Sequence, residues 1–421
     1  MFDKEKHIHN KRIHAERLSL RIEQLAMIGK TDRNGVTRLP LTEEDDKAQQ
    51  LVGEWMKQAG MKVRRDDFGN LIGRREGSDP DATAIMIGSH IDSVPNGGKF
   101  DGTVGVISGI EIVQAIHDAN VSHKHPIEVI AFSDEEGARF SDGLFGSRGI
   151  CGYLTDKELA VIDVEGISRK EAMEQFGLST EKMANSVRNA TDVRAYLEIH
   201  IEQGPYLQAM NQPVGLVTCI AGSYVLRITL RGEAGHAGTV PMPMRRDSMM
   251  GAAEAMVAIE KLCGHDAKLP TVGTVGTLEI FPGASNVIPS EVSFTLDIRD
   301  SDDERLHKLI TDVEVVLADI SLRRGLEYHI EQLLSESPVE PSHKLMEQLR
   351  SSADKHGMIL PELISGAGHD AMIMASITEM AMLFVRCKDG ISHNPKEWAD
   401  AEDIAIGVSI LCDTVLKLSN E

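Results

Sequence analysis

Residues 84–102 read AIMIGSHIDSVPNGGKFDG, and the reading of the chain turns on them. Ala84–Gly88 is a short apolar run, consistent with a buried strand. A polar loop follows, carrying His90 and Asp92 two residues apart and ending on Asp101 among Gly97, Gly98 and Gly102. Val104–His117 then takes up helical periodicity. The pattern recurs at Ile127–Phe132, an apolar run followed by Asp134-Glu135-Glu136. Such alternation of strand and helix signals argues for an α/β sheet covered by helices.

Outward from this stretch, Ile13–Ile28 is periodic as a helix. Thr42-Glu43-Glu44-Asp45 resembles a capping segment for a helix reaching about Gln58. Lys62–Arg75 reads as a hairpin turned at Asp67-Phe68-Gly69-Asn70. Tyr196–Ile201 and Ala381–Arg386 are further strands. After about Val217 the texture changes. Tyr224–Arg231 alternates apolar and polar residues, Arg246–Leu262 and Asp302–Arg324 read as helices, and Thr271–Phe281 and Glu291–Arg299 as strands. Alternation suits a sheet with one wet face. The expectation is an α/β domain over 1–217 and 332–421, interrupted by an α+β domain over 218–331, a normal domain size.

Composition narrows the function. Lys plus Arg is 44 and Asp plus Glu 65 in 421 residues, a net charge of −21. That field repels nucleic acid and anionic membranes. No apolar stretch approaches the roughly 18–20 residues that span a bilayer. The N-terminus, MFDKEKHIHNKRIHAERL, lacks the apolar core of a signal peptide. Five scattered cysteines (Cys151, Cys219, Cys263, Cys387, Cys412) without a CxxC pair suit free thiols in a reducing cytoplasm. They also make a thiolate metal cage improbable, so a metal would rely on His and carboxylate. Dinucleotide and Walker-type glycine loops and the GxSxG elbow are absent.

In open α/β sheets, sites form at the carboxyl ends of strands. His90 and Asp92 follow one strand, Glu135 and Glu136 another. His200 lies in a third between Glu198 and Glu202, and His393 follows a fourth in Gly390-Ile391-Ser392-His393-Asn394-Pro395. Zn²⁺, Mn²⁺ and Co²⁺ accept imidazole nitrogen and carboxylate oxygen. Two such ions need a bridging carboxylate, and Asp101 suits that role. Asp92 reads as support, its carboxylate accepting the free N–H of a ligating His90. Adjacent glutamates point different ways, so one can bind metal while the other moves a proton. Taken singly, an HxD is usually an ordinary loop, an Asp among glycines a turn residue, and a Glu pair a solvated helix start. Their co-occurrence after apolar strands is what makes a metal-dependent hydrolase the reading.

The ordered series GVTRL at Gly35, GSHIDSVPNGGKFDG, AFSDEEGARF, GSR at Gly146, LEIHIEQGP, AGHAGTVPM with RRD, ASNVIP, LDIRD, SGAGHDA and DGISHNP resembles a known family over nearly the whole chain. It is that of the N-carbamoyl-L-amino acid hydrolases and allantoate amidohydrolases, within the zinc-dependent aminoacylase and carboxypeptidase superfamily. The resemblance implies a site with two divalent ions (Zn²⁺, Mn²⁺ or Co²⁺). His90 and His200 would hold one, Glu136 and His393 the other, with Asp101 bridging and Glu135 as general base. Gln203, Asn286, Arg299 and Gly368 would contact substrate, and His236 would stabilise the oxyanion. The catalytic domain would have a mainly parallel sheet, and the inserted domain would serve as lid and dimerisation module of a homodimer, completing the site on closure. The implied substrate is a small ureido compound with a carboxylate. An N-carbamoyl-L-amino acid would give the L-amino acid, carbon dioxide and ammonia. Allantoate is the closest alternative, with β-ureidopropionate, N-acyl-amino acids and peptides further away. A silent binding protein of the same fold would have lost a ligand or Glu135, and neither is lost.

Overall fold

The computed structural model describes residues 13–79, 81–266 and 268–421; the polar N-terminal reading through residue 12 lies outside them. Two compact units emerge, one comprising the chain up to Thr218 with Pro341–Leu363 and His369–Glu421, the other Cys219–Glu340 with Ile364–Gly368.

The first unit opens with helices α1 (Ala15–Ala26) and α2 (Glu43–Gln58) and the hairpin β1 (Lys62–Arg65) and β2 (Leu71–Arg75). Thr42 caps α2 by accepting the Asp45 amide, while the Asp45 carboxylate accepts Leu41 N–H at 2.9 Å rather than closing a capping box. Then come β3 (Ala84–His90), α3 (Thr103–Asp118), β4 (Ile127–Phe132), β5 (Val193–Ile201) and β6 (Val214–Ile220). The second unit holds β7 (Gly222–Arg231), β8 (Gly235–His236), α4 (Ser248–Cys263), β9 (Val272–Phe281), β10 (Val287–Ile288), β11 (Glu291–Asp300), α5 (Asp303–Arg324) and β12 (Glu327–Glu336). The chain closes with α6 (His343–Lys355), β13 (Glu362–Ser365), α7 (Asp370–Met374), β14 (Met380–Val385) and α8 (Ala401–Leu418).

The large sheet has the order β1-β2-β4-β3-β5-β14-β6-β13. Its centre, β4, β3, β5 and β14, is parallel; β1–β2, β2–β4 and β14–β6 are antiparallel. Every residue of β3, β4 and β14 is buried, as expected for strands covered on both faces. Helix α3 is apolar nearly all round and lies in the core against β3, β4 and β5. Register fixes the level of the strand ends: His90 stands opposite Phe132, and His200 opposite Phe384.

In the second unit, β12-β7-β11-β9 form an antiparallel sheet with α4 and α5 packed on it. Strand β11 alternates strictly, burying Val292, Phe294, Leu296 and Ile298 on the helix side. The 331/332 boundary read from the sequence falls inside β12. That strand pairs with β7 as far as Glu336 opposite Ser223, so the unit continues to Glu340. Among the described residues no helix is long and apolar enough to cross a membrane. All five cysteines are free and buried.

Candidate active site

The four parallel central strands present their carboxyl ends side by side. His90 is the last residue of β3, and His200 the last but one of β5. Glu135 and Glu136 follow β4, and His393 follows β14. Asp101 sits at the entry to α3, directly before Gly102, the cap residue at φ 61.

These residues converge on the two oxygens of Asp101. Oδ1 lies 3.1 Å from His200 Nε2 and 3.8 Å from His90 Nε2. Oδ2 lies 3.2 Å from His393 Nε2, which is itself 3.3 Å from Glu136 Oε2. The donor atoms of His90, Asp101 and His200 all lie within 4.8 Å of one another, as do those of Asp101, Glu136 and His393. Two donor sets thus share one carboxylate, one oxygen each. His200 Nδ1 faces the Ile201 carbonyl at 2.9 Å, and Gly102 N–H donates to His200 Nε2 at 3.1 Å. The Ile201 carbonyl and the Gly102 amide fix the plane of the ring, which keeps Nε2 beside Asp101.

The mixture of imidazole and carboxylate donors fits borderline divalent ions. Glu136 Oε1 is buried and lacks a hydrogen-bond partner, which a cation would supply. A third group, Glu198, His200 and His369, also lies within metal-binding distance. There the Glu198 carboxylate already accepts from Ser89 Oγ (2.8 Å), Tyr196 OH (3.0 Å) and Ala371 N–H (3.2 Å). It serves as a structural crosslink.

Electrostatics follows the crowding. Burial would raise the Asp101 carboxyl, but hydrogen bonds with His200 and His393 hold it well below its ordinary range. Burial lifts Glu135 well above the carboxylate range, opposed by His90, whose Nε2 is 3.5 Å from Glu135 Oε2. Burial, together with Asp101, pushes Glu136 to about 7.

Asp92 reaches His90 and the next loop as well. His90 Nδ1 faces the main-chain carbonyl of Asp92 at 3.2 Å, with the carboxylate Oδ1 at 3.5 Å. The carboxylate also accepts the amides of Glu135 (3.3 Å) and Glu136 (3.1 Å), tying the β3 loop to the β4 loop. Gln203 likewise donates through Nε2 to Asp101 Oδ2 at 2.9 Å. The amide read as a substrate contact therefore steadies the shared carboxylate.

The other expected substrate contacts lie in the second unit. His236 and Asn286 meet on the β8–β10 ribbon, where Ala237 N–H donates to the Asn286 carbonyl. His236 is exposed, and its Nδ1 accepts Gly238 N–H at 3.0 Å. Arg299 on β11 is gripped by Asp297 (Nη2–Oδ2, 2.8 Å) and donates Nη1 to the Gly366 carbonyl at 2.8 Å, two residues from Gly368.

The sequence reading missed several supports. Arg38 of GVTRL is fully buried and donates to the carbonyls of Leu25, Ile28 and Ile91, fixing the residue between His90 and Asp92. Asp134, at φ 56, is held by the buried Arg169 at 3.0 Å. The Arg169 guanidinium lies 4.8 and 4.3 Å from the Phe140 and Phe145 ring centres. Glu397 binds the Asp101 loop from behind. The nearest available signal was the polar run after His393.

Comparison with known proteins agrees with this layout. The profile of peptidase family M20/M25/M40, whose members depend on metal, matches residues 86–417. An N-carbamoyl-L-amino-acid amidohydrolase of Pseudomonas sp. (strain NS671) is 52% identical over 407 residues, covering 96% of this chain and 98% of its own. Allantoate deiminase 1 of Glycine max is 38% identical over 422 residues, covering 93% of this chain and 87% of its own. The solved amidase of the hydantoinase/carbamoylase family from Burkholderia multivorans superposes with a TM-score of 0.89 at 35% identity, covering 97% of this chain and 98% of that one. Matched over most of its length, the chain belongs to peptidase family M20/M25/M40, in the branch of the N-carbamoyl-L-amino acid hydrolases and allantoate amidohydrolases.

Proposed function

We propose that this protein is a two-metal amidohydrolase that cleaves the ureido C–N bond of an N-carbamoyl-L-amino acid. The products are the L-amino acid, carbon dioxide and ammonia. One observation carries the reading: the two oxygens of Asp101 face two separate donor sets, His90 with His200 and Glu136 with His393. The choice of substrate is supported by the relative that is 52% identical.

Those five residues would hold two divalent ions per subunit (Zn²⁺, Mn²⁺ or Co²⁺). When bound, such ions acidify water and neutralise charge developing on the carbonyl oxygen. Glu135 accepts the proton of the attacking water at its carboxylate and returns it to the leaving nitrogen. Its buried position favours proton uptake. Asp92 holds Glu135 and Glu136 in place through their amides. His236 would stabilise the oxyanion, and Asn286, Arg299, Gly368 and Gln203 would hold the substrate. An arginine fork suits the substrate carboxylate. The inserted unit would serve as lid and as the contact of a homodimer. Support for the dimer comes from β9, an outer strand that exposes Leu278, Ile280 and Phe281. Five free cysteines support a cytoplasmic location.

The test is a substrate panel on protein stripped with chelator and reloaded with Mn²⁺, Co²⁺ or Zn²⁺. It compares N-carbamoyl-L-amino acids, their D-enantiomers, allantoate, β-ureidopropionate and N-acetyl-amino acids. Metal-dependent turnover with preference for the N-carbamoyl-L-amino acids is expected. Preference for allantoate would replace the substrate assignment, and full activity in the stripped protein would end the two-metal reading.

A further inference from the structure

Glu397 belongs to no strand or helix and follows His393 by four residues, yet its buried carboxylate reaches three parts of the site. Oε1 accepts the main-chain N–H of Phe100 at 2.8 Å and of Asp101 at 3.1 Å. Oε2 lies 3.0 Å from the Ser392 hydroxyl, which is also 2.8 Å from Asp101 Oδ2. Gly98 is what leaves room: a Cβ there would overlap the Glu397 carboxylate.

The need for such a brace follows from the Asp101 loop. Gly97, Gly98 and Gly102 give that segment unusual backbone freedom. The Asp101 carboxylate must nevertheless present one oxygen to each donor set. Gln203 and Ser392 both restrain Oδ2, while Glu397 takes the main-chain N–H groups of Phe100 and of Asp101 itself.

We propose that Glu397 is a positioning residue for metal binding: by holding the Phe100 and Asp101 amides it orients Asp101 so that its oxygens divide between the two ligand sets. This rests on the two-metal reading above.

The test measures Zn²⁺ affinity and stoichiometry by competition with a chromogenic chelator, alongside the melting temperature of each metal-free protein. Removing a residue that orients a metal ligand typically weakens binding about 10- to 100-fold. Glu397→Ala is expected to lose that much. Glu397→Gln retains an acceptor oxygen for both amides and should stay within about threefold of the parent, well short of that loss. Gly98→Ala displaces the carboxylate without removing it and should mimic Glu397→Ala; it is the variant to read if the latter does not fold. Because the two changes act through one contact, the double variant should be no worse than the more damaging single one. Parent-like affinity in Glu397→Ala or Gly98→Ala would overturn the brace, as would equal losses in the Gln and Ala variants or additive losses in the double variant. A parent that binds no Zn²⁺ would overturn the two-metal reading itself, and the brace with it.

Discussion

The backbone of Gly102 lies against the imidazole of His90: a side-chain carbon on Gly102 would overlap the ring's Cε1 and Nε2. The glycine is also held at φ 61, where other residues are strained. Gly102→Ala should therefore push His90 out of its donor set. The expected result is a fall of about 10- to 100-fold in metal affinity, in the range seen when a ligand loses its orientation. Elemental analysis after desalting checks it. Full metal content in the variant would show that the ring has room to move.

Asp92 holds the two amides on which Glu135 and Glu136 are mounted. Asp92→Ala leaves both N–H groups without an acceptor, at about 1–3 kcal/mol each where they are buried. Asp92→Asn keeps one acceptor oxygen and should fall between the alanine variant and the parent. Denaturant midpoints and kcat, measured together, test this ordering. An Asn variant indistinguishable from the parent would remove the carboxylate's assigned role.

Glu135 lies 3.5 Å from His90 Nε2 and outside both donor sets. Glu135→Gln preserves shape and removes the proton acceptor. It should keep its metal while kcat drops by about 10²- to 10⁴-fold, the usual contribution of general base catalysis. A variant that turned over at the parent's rate would move the base to another residue.

Arg169 and Asp134 form a fully buried ion pair directly before Glu135. Arg169→Ala takes away the cation that holds the buried Asp134 and should cost about 3–5 kcal/mol, whereas Asp134→Ala should cost less, because Arg169 keeps the Asp142 carboxylate at 3.4 Å. The double variant should cost less than the sum, because both singles break the same pair. Equilibrium unfolding decides between this outcome and simple additivity.

The candidate ligands were legible because each announces itself locally. His90, Glu136 and His393 follow apolar runs, His200 lies within one, and Asp101 sits among glycines. The supports were hidden because their partners are remote in sequence. Glu397 acts on amides 297 and 296 residues away, and Gln203 on a carboxylate 102 residues away. Nothing in the spacing of DGISHNP could indicate the grip of Glu397. The end of the inserted unit was misplaced for another reason. β12 is an outer strand with little buried alternation, so its last residues carry no clear strand pattern. The contact of Asp92 with His90 was legible from their spacing, whereas its grip on the Glu135 and Glu136 amides, 43 and 44 residues away, was not.

Strand β14 (Met380–Val385) lies between β5 and β6, which precede it by some 160 residues or more. As the chain is synthesised, β5 therefore waits with one edge unpaired while the whole β7–β12 sheet emerges. That sheet is local enough to form meanwhile; the central gap is a long-range closure, the slow kind. His393 arrives only after the gap is filled. The second donor set is thus incomplete until His393 has been made, and a ribosome stalled before β14 would display an open sheet edge of the kind that invites aggregation.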